Sequence, residues 1–259
     1  MSDSSPDIKD VEKFWENNPL WEGESSYTPG SKEFFDEHRA VYIEDCFAGA
    51  LDARLFPPHE SRKNVLDLGC GPGFWTTEFL VRGKADKMIS ADLTDQALDL
   101  TKRRLEMHNF TAILQKENAE QTSFKNQTFT HVNCQGVIHH TPHTEKCVKE
   151  IARILQKNGT DLISVYYKNI FIRNWRVFGF FSNIMHKLGA GLKGRGRENI
   201  YAAPTADEIV RLYDGDSNPI GKAYSKQEFK ELLEPHFEIE EIFYHFFPAR
   251  SLPFPIPKF

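Results

Sequence analysis

Residues 65–80 read VLDLGCGPGFWTTEFL: an apolar run, a turn with three closely spaced glycines, and a helix-like pattern. Gly69, Gly71 and Gly73 let the backbone turn sharply and approach a ligand closely, because glycine has no Cβ. The helix that follows has free N–H groups in its first turn, and these favour negative or polar ligand atoms. The stretch therefore predicts a strand, a ligand-binding turn and a helix.

The spacing of the glycines narrows the class of ligand. It is G-x-G-x-G, whereas the dinucleotide fingerprint is G-x-G-x-x-G, and Phe74 stands where the third glycine of that fingerprint would be. No Gly-Lys-Ser/Thr follows, which excludes a P-loop. Asp67, inside the strand, would repel a pyrophosphate but can accept hydrogen bonds from an ammonium group. The turn is therefore predicted to hold a ligand with a cationic end.

Short apolar runs alternate with helical stretches between Asn64 and Tyr167. This βαβα order predicts an α/β fold of the Rossmann-like, doubly wound kind, with a mainly parallel sheet, helices on both faces and ligands at the carboxyl ends of the strands. The expected organisation is an N-terminal helical lid (1–59), a ligand-binding core (60–167), a helical cap insertion after strand five (168–222), and a C-terminal part (223–259). The last part should add the helix SKQEFKELLEPH and the strand FEIEEIFYHFF to the core.

Two further strand ends carry polar groups that indicate which other parts the ligand has. Asp92 ends the second strand, where an acidic side chain can accept hydrogen bonds from ribose hydroxyls. The third strand end reads NAEQTSF, so Asn118 and the backbone around Ala119 can recognise an adenine edge. An ammonium group, a ribose and an adenine together describe S-adenosylmethionine.

The motifs VLDLGCGPG, ADLT, NAEQTSF and GVIHHTPHTEKCVKEIARILQKNG resemble, in this order, those of the class I S-adenosylmethionine-dependent methyltransferases. The likeness is to the small-molecule branch that includes the ubiquinone and menaquinone biosynthesis enzymes. It covers residues 60–167, with a weaker echo in AYSKQEFKELLEPHFEIEEI. The resemblance implies an enzyme of the EC 2.1.1 class that uses S-adenosylmethionine and forms S-adenosylhomocysteine.

The resemblance also implies a role for individual residues in binding the cofactor. It puts Asp92 on the ribose, Leu93 against the adenine, and Asn118 with Ala119 at the adenine edge. Asn118 stands where relatives usually carry Asp, and its carbonyl can still accept a hydrogen bond from the exocyclic amine. The remaining implied residues surround the methionine moiety or close the site after the fourth strand: Asp67, Gly69, Cys70, Gly71, Gln135 and Gly136.

Three histidines, His139, His140 and His143, follow the fourth strand. Without a carboxylate or cysteine partner this spacing matches no recognised ligand set, so we expect no metal. In the family fold the loop lies beside the transferred methyl group, which makes His139 or His140 a candidate general base. The sequence leaves open which of the two acts, or whether both only support the loop.

Composition restricts location and partners. The net charge of −5 argues against a general nucleic-acid binder, because such domains usually carry a basic excess. The N-terminus lacks the pattern of a secretory signal, and no window approaches the roughly 20 apolar residues of a transmembrane helix. The four cysteines form no C-x-x-C pair. We therefore expect a cytoplasmic protein with reduced thiols, no transmembrane segment and no nucleic-acid partner.

Residues 168–197 differ from the rest of the chain, because they carry seven basic residues and no acidic one. Their apolar residues recur at helical spacing, from Phe171 and Trp175 to Leu188. Three interpretations stay open: a helix packed on the core, a cap over a small-molecule or amphiphilic acceptor, or a peripheral contact with anionic lipid. Two other classes also stay open for the whole chain, namely a binding module for S-adenosylmethionine without turnover and a nicotinamide-dependent oxidoreductase.

Overall fold

The computed structural model describes residues 5–187 and 197–245. Its centre is a five-stranded sheet with the strand order β3-β2-β1-β4-β5, in which every neighbouring pair is parallel. The predicted Rossmann-like α/β fold is therefore confirmed. The strands are β1 (Val65–Leu68), β2 (Met88–Asp92), β3 (Ile113–Lys116), β4 (Phe129–Gln135) and β5 (Leu155–Ser164), and a separate parallel pair is formed by β6 (Tyr166–Tyr167) and β7 (Ala223–Tyr224).

Helices precede, connect and follow these strands in the order that the sequence predicts. Thr94 and Ser225 cap two of them, and Ser225 with Glu228 forms the predicted capping box. The α-helices are α1 (Ile8–Asn17), α2 (Lys32–Phe47), α3 (Phe74–Val81), α4 (Asp95–Met107), α5 (Thr144–Ile154), α6 (Ile170–Arg173), α7 (Trp175–Lys187), α8 (Ala206–Asp214) and α9 (Lys226–Leu233).

The central strands β1, β2 and β4 are buried because helices pack on both faces of the sheet, whereas the edge strands β3 and β5 are partly exposed. Val65 of β1 belongs to the cluster that contains Phe79 of α3, whereas the next residue, Leu66, belongs to the cluster that contains Ile151 of α5. This alternation is what a strand covered on both faces requires, since successive side chains point to opposite sides. The short apolar runs that form β1, β2 and β4 are therefore buried strands.

The glycine turn follows β1 as predicted, with positive φ angles at all three glycines. Gly69 has φ +79°, and a Cβ atom there would lie 2.2 Å from Cγ2 of Val137. Gly69 is thus required both by the backbone conformation and by the close approach of the loop after β4. This approach brings the ends of β1 and β4 together.

The N-terminal helix α1 is fastened to the core near the ends of β2 and β3. Glu16 accepts a hydrogen bond from the N–H of Asp95 (2.9 Å) in the first turn of α4. Lys116 of β3 makes salt bridges with Glu12 (2.9 Å) and Asp95 (2.7 Å). Helix α1 is therefore fastened beside the carboxyl ends of β2 and β3, and the role of residues 1–59 as a lid stays a prediction.

The C-terminal part departs from the sequence prediction. Helix α9 forms, but residues 237–245 contain no strand, so the prediction of a strand from Phe237 onward is wrong for the described residues. Phe237 and Ile239 pack against the central core without pairing to β5. Glu240 of this segment lies close enough to β5 to act on Asp161: desolvation first, and the carboxylate of Glu240 second, raise the pKa of Asp161 to about 7. Residues 246 and 247 of the predicted strand lie outside the described residues.

The basic insertion is helical where the structure describes it, in α6 and α7. Trp175 and Ile172 pack against a small core formed by the short helix Arg197–Ala202 and α8. Leu188, Lys193 and Arg195 of the predicted pattern lie outside the described residues. Helices α6 and α7, the short helix Arg197–Ala202 and α8 therefore share one small core.

Candidate cofactor and acceptor site

The carboxyl ends of β1, β2 and β4 open into one cavity of about 1880 Å³. The volume is not that of the strand-end region alone, because the wall of the cavity continues along β5 to residues 156–160 and along residues 237–245. Most of the site residues predicted from the sequence border it: Gly69, Gly71, Asp92, Leu93, Asn118, Ala119, Gln135, Gly136, His139 and His140. Asp67 and Cys70 do not border the cavity.

Asp92 lies at the end of β2, where it joins two loops. Its Oδ2 accepts a hydrogen bond from the N–H of Gly71 (3.0 Å), and its Oδ1 accepts from the N–H and the hydroxyl of Thr94 (3.0 and 2.9 Å). Burial raises the pKa of this carboxyl, and the N–H donors of Gly71 and Thr94 oppose the shift. Oδ2 keeps one lone-pair direction for a further donor, such as a hydroxyl group.

Asp67 lies beneath the glycine turn rather than on the cavity wall. Its side chain is 1% exposed, and its two oxygens accept hydrogen bonds from the hydroxyl of Thr76 (2.7 Å) and from the amide of Asn133 (2.8 Å). Desolvation raises its pKa to about 6. Direct contact between Asp67 and the cofactor stays a prediction, since the described contacts of Asp67 connect it to the cavity only through Asn133.

Cys70 and Asn118 each have a local structural role. The N–H of Cys70 donates to the carbonyl of Ala91 (3.0 Å), and burial raises the pKa of its thiol well above the usual value, so the thiol is unreactive. Oδ1 of Asn118 accepts a hydrogen bond from the N–H of Glu120 (2.9 Å), which fixes the loop after β3. The second lone pair of that oxygen stays available for an adenine amine.

Gln135, at the end of β4, has an incomplete set of hydrogen bonds. Its Nε2 donates to Oδ1 of Asn133 (2.7 Å), whereas its Oε1 is buried and has no hydrogen-bond partner. The side chain borders the cavity. A buried acceptor without a donor is unfavourable, so this end of the site suits a ligand that brings an N–H or O–H group.

His139 and His140 lie side by side after β4, with ring centroids 4.2 Å apart, but their surroundings differ. Nδ1 of His140 is 2.9 Å from the carbonyl of Ile220, and its Nε2 is 3.4 Å from Oδ2 of Asp214. Neither ring nitrogen of His139 has a hydrogen-bond partner, although this residue is only 2% exposed. His140 is thus fixed between acceptors, while His139 has two unused nitrogens.

The ring of His139 is neutral near pH 7. Desolvation, and after it the charge of His140, lower its pKa well below the usual value of 6.5, and the nearby backbone of Ser164 offsets only part of this shift. Tyr166 packs edge-on against His139, with ring centroids 4.6 Å apart. A neutral imidazole with a free lone pair can accept a proton.

Three residues around this site were missed by sequence reasoning: Asn133, Tyr166 and Asp214. The hydroxyl of Tyr166 donates to both carboxylate oxygens of Asp214 (3.0 Å each), which places Asp214 between Tyr166 and His140. Tyr166 and Asn133 occur inside apolar runs that indicate strands, and Asp214 is distant in sequence. No spacing signal could have identified them.

Aromatic side chains from the N-terminal helices cover the other side of the cavity. Trp15 of α1 packs edge-on against His140, with ring centroids 5.2 Å apart. Trp15, Trp21 and Tyr42 all border the cavity. The lid, the core and the insertion therefore all contribute residues to one site.

Within residues 5–187 and 197–245, no group of three His, Cys, Asp or Glu side chains is arranged to hold a metal ion. No helix in this part of the chain is long and apolar enough to cross a membrane.

The chain is similar to known proteins over its core. Residues 65–159 match the family model described as a methyltransferase domain. A ubiquinone biosynthesis O-methyltransferase of Coxiella burnetii is 23% identical over 107 residues, which are 41% of this chain and 45% of that protein. A ubiquinone/menaquinone biosynthesis C-methyltransferase of Pasteurella multocida is 27% identical over 153 residues, which are 58% of this chain and 56% of that protein.

Among solved structures, one chain of the complex that contains the Haloferax volcanii Trm112 methyltransferase activator has a TM-score of 0.52 and 14% identity, over 81% of this chain and 75% of that chain. This likeness shows the fold alone. The chain spans about half the length of the curated relatives it matches, 45% and 56%. Together, the family match and these relatives confirm the predicted resemblance to S-adenosylmethionine-dependent methyltransferases.

Proposed function

We propose that this protein transfers a methyl group from S-adenosylmethionine to a small or amphiphilic acceptor and forms S-adenosylhomocysteine. The observation that carries the proposal is the set of polar acceptors at neighbouring strand ends, beside a glycine turn. Asp92 ends β2, Asn118 follows β3 and Gln135 ends β4, and all three border one cavity. The proposal is supported by the match of residues 65–159 to a methyltransferase domain.

The residues present fit this cofactor. Asp92 offers Oδ2 to a ribose hydroxyl, and Asn118 offers Oδ1 to the adenine amine. Leu93 and Ala119 border the same region and supply apolar contacts for the base. Gln135 offers an acceptor without a partner to the amino-acid end. Gly69 borders the cavity through its backbone, because the place of a side chain at this position is taken by Val137.

Bound S-adenosylmethionine supplies an activated sulfonium, so alignment of the acceptor can provide much of the rate, about 7–11 kcal/mol in well-oriented reactions. The residues of the chain therefore have to bind the cofactor, orient the acceptor and exclude water. The lid residues Trp15 and Tyr42 border the cavity from the side of the N-terminal helices. They are placed to exclude water when both ligands are bound.

We assign the proton acceptor to His139 rather than His140. The carbonyl of Ile220 lies 2.9 Å from Nδ1 of His140 and the carboxylate of Asp214 lies 3.4 Å from its Nε2, so both nitrogens of this ring already face acceptors of the protein. Neither ring nitrogen of His139 is within hydrogen-bonding geometry of a partner, although the backbone of Ser164 is close, and the lowered pKa keeps the ring neutral. A neutral ring has a lone pair for the proton of an acidic acceptor group, while the same shift makes it a weaker base. His140 instead holds Trp15 and Asp214 in place around the acceptor region.

The wall of the acceptor region favours a flat, apolar acceptor. Tyr42, Tyr166 and Tyr213 border the cavity together with Trp15 and Ile172. Aromatic side chains stack on planar rings and bury large apolar areas. The names of the relatives refer to ubiquinone and menaquinone biosynthesis, and an aromatic acceptor of this kind suits the lining.

The insertion supports an approach of the acceptor from a lipid surface. Helices α6 and α7 expose six large apolar side chains, called here the apolar α6–α7 face: Ile170, Phe171, Val177, Phe180, Phe181 and Ile184. The segment 168–197 that contains this face has seven basic residues and no acidic one. An apolar face within a basic segment matches an anionic membrane surface. Ile172, on the inner side of α6, borders the cavity.

The proposal is tested with radiolabelled S-adenosylmethionine and a panel of hydroxylated aromatic acceptors with and without an apolar tail. We expect label transfer to at least one acceptor, with release of S-adenosylhomocysteine in equal amount. Binding of S-adenosylhomocysteine without transfer to any of them would favour a binding module. Binding of NADH that S-adenosylhomocysteine does not displace would favour an oxidoreductase. A cytoplasmic location stays a prediction.

A further inference from the structure

Four buried side chains form a chain of hydrogen bonds from beneath the glycine turn to the cavity. The hydroxyl of Thr76 donates to Asp67 (2.7 Å), Nδ2 of Asn133 donates to Asp67 (2.8 Å), and Nε2 of Gln135 donates to Oδ1 of Asn133 (2.7 Å). All four residues are at most 8% exposed. The chain ends at Oε1 of Gln135, which has no partner.

The direction of this chain follows from the chemistry of its first member. An ionised Asp67 can only accept hydrogen bonds, so Asn133 must turn its NH₂ group toward Asp67. The carbonyl of Asn133 then faces Gln135, which must answer with its own NH₂ group. Both amides are therefore held in one orientation, and the free end of Gln135 is its carbonyl oxygen.

We propose that Asn133 is a positioning residue that presents the carbonyl of Gln135 to the α-ammonium group of S-adenosylmethionine. Asp67 fixes the orientation from behind and contributes its negative charge through the chain. The inference rests on the proposed function and adds to it the group that Gln135 recognises and the residue that orients Gln135.

An ammonium group matches this end of the site better than other polar groups. It donates three hydrogen bonds and accepts none, so it complements an acceptor whose amide cannot turn round. A carboxylate at the same place would meet a second acceptor and the charge of Asp67. The unused lone pairs of Oε1, buried in the ligand-free chain, gain a charged donor when the cofactor binds.

The test compares two ligands by calorimetry: S-adenosylhomocysteine, which has the α-ammonium group, and 5′-methylthioadenosine, which lacks the amino-acid end. We expect Gln135→Met to weaken S-adenosylhomocysteine about tenfold to a hundredfold, the range for one hydrogen bond to a charged group, and to change methylthioadenosine less than about twofold. Gln135→Asn, which withdraws the carbonyl by one methylene, should act in the same direction and covers the case that the methionine variant does not fold.

The positioning role of Asn133 is tested by Asn133→Leu and by the double variant. Asn133→Leu should also weaken S-adenosylhomocysteine selectively, and the double variant with Gln135→Met should bind it no more weakly than Gln135→Met alone, because both changes remove one interaction. Asn64→Leu is the matched control. Its amide donates to the carbonyl of Thr128 (2.8 Å), and Asn64 does not border the cavity, so its loss should leave ligand selectivity unchanged.

Equal weakening of both ligands in the Gln135 and Asn133 variants would overturn the inference, as would unchanged binding of both. If the unmodified chain binds neither ligand, the proposed function itself fails. The two failures are thus distinguished by the behaviour of the unmodified chain.

Discussion

At the scale of single residues, the two adjacent histidines should respond differently to substitution. We expect His139→Ala to lower kcat roughly 10²-fold to 10⁴-fold, because the proton acceptor is lost, while the affinity for S-adenosylhomocysteine stays within about twofold. His140→Ala removes the ring between Asp214 and Ile220 and should lower the free energy of unfolding by about 1–3 kcal/mol.

Turnover with a saturating acceptor and thermal unfolding of both variants check this difference. A His139→Ala variant with full turnover would contradict the assignment and leave alignment as the whole source of the rate.

Asp67 should make cofactor binding depend on pH. Its pKa of about 6 lies above the usual 3.8, so the ionised form, which an ammonium ligand prefers, is lost as the pH falls through 6. The affinity for S-adenosylhomocysteine should fall about tenfold between pH 7 and pH 5. For stability the sign is the reverse: the raised pKa favours the folded state most below about pH 4, and this contribution is lost as the pH rises through 6.

The measurement is calorimetry at both pH values, with 5′-methylthioadenosine as the control, because this ligand has no ammonium group to lose its partner. Three other titratable groups lie near Asp67, namely Asp92, Cys70 and Tyr42, and the pKa of each is raised. A thiol or phenol with a raised pKa stays neutral in acid, so only Asp92 also changes its charge on the acid side. The same pH profile for both ligands would point to Asp92 instead.

At the scale of elements, the glycine turn allows a matched pair of substitutions. Gly69→Ala brings a Cβ to 2.2 Å from Val137 at φ +79°, whereas Gly71→Ala meets no atom within 4 Å at φ +51°. Gly71→Ala should cost about 1–2 kcal/mol of stability, the usual cost of a left-handed backbone, and Gly69→Ala clearly more. Denaturant unfolding of both variants measures the difference, and equal costs would show that the contact with Val137 is unimportant.

The apolar α6–α7 face leads to a prediction about lipid. Phe180 and Phe181 are 64% and 59% exposed, and replacing both by serine should reduce sedimentation with phosphatidylglycerol vesicles while kinetics on a water-soluble acceptor stay unchanged. Val81→Ser is the control, because Val81 is 50% exposed on α3. If the double variant sediments like the unmodified chain, the face does not contact lipid.

An element could be predicted from the sequence where its signal is local, and not where it depends on contacts with distant parts of the chain. The strand, turn and helix of residues 65–80 were predictable because glycine spacing and apolar runs are properties of the segment itself. The absence of a strand from Phe237 to residue 245 could not be predicted in this way, because strand formation there depends on the residues of β5 beside it. Glu240 lies close enough to Asp161 to raise the pKa of its carboxyl, and no local pattern reveals the approach of two carboxylates that are 79 positions apart in the printed sequence.

At the scale of the whole molecule, the site is assembled from distant parts of the chain around His140. Trp15 reaches it from α1, Asp214 from α8 and the carbonyl of Ile220 from the loop before β7. The sequence could indicate most of the residues proposed to bind the cofactor, since these stand at or just after strand ends. It could not indicate the partners of the histidines, because these come from helices whose packing only the folded chain determines.

Binding of S-adenosylmethionine at the strand-end site is tested by calorimetric titration of the unmodified chain and of Asp92→Ala with S-adenosylhomocysteine. We expect a dissociation constant in the micromolar range for the unmodified chain and a severe loss of affinity in the variant, which lacks the acceptor for the ribose. Asp99→Ala, on the exposed side of α4, should bind normally. No binding by the unmodified chain, or equal binding by Asp92→Ala, would contradict the claim.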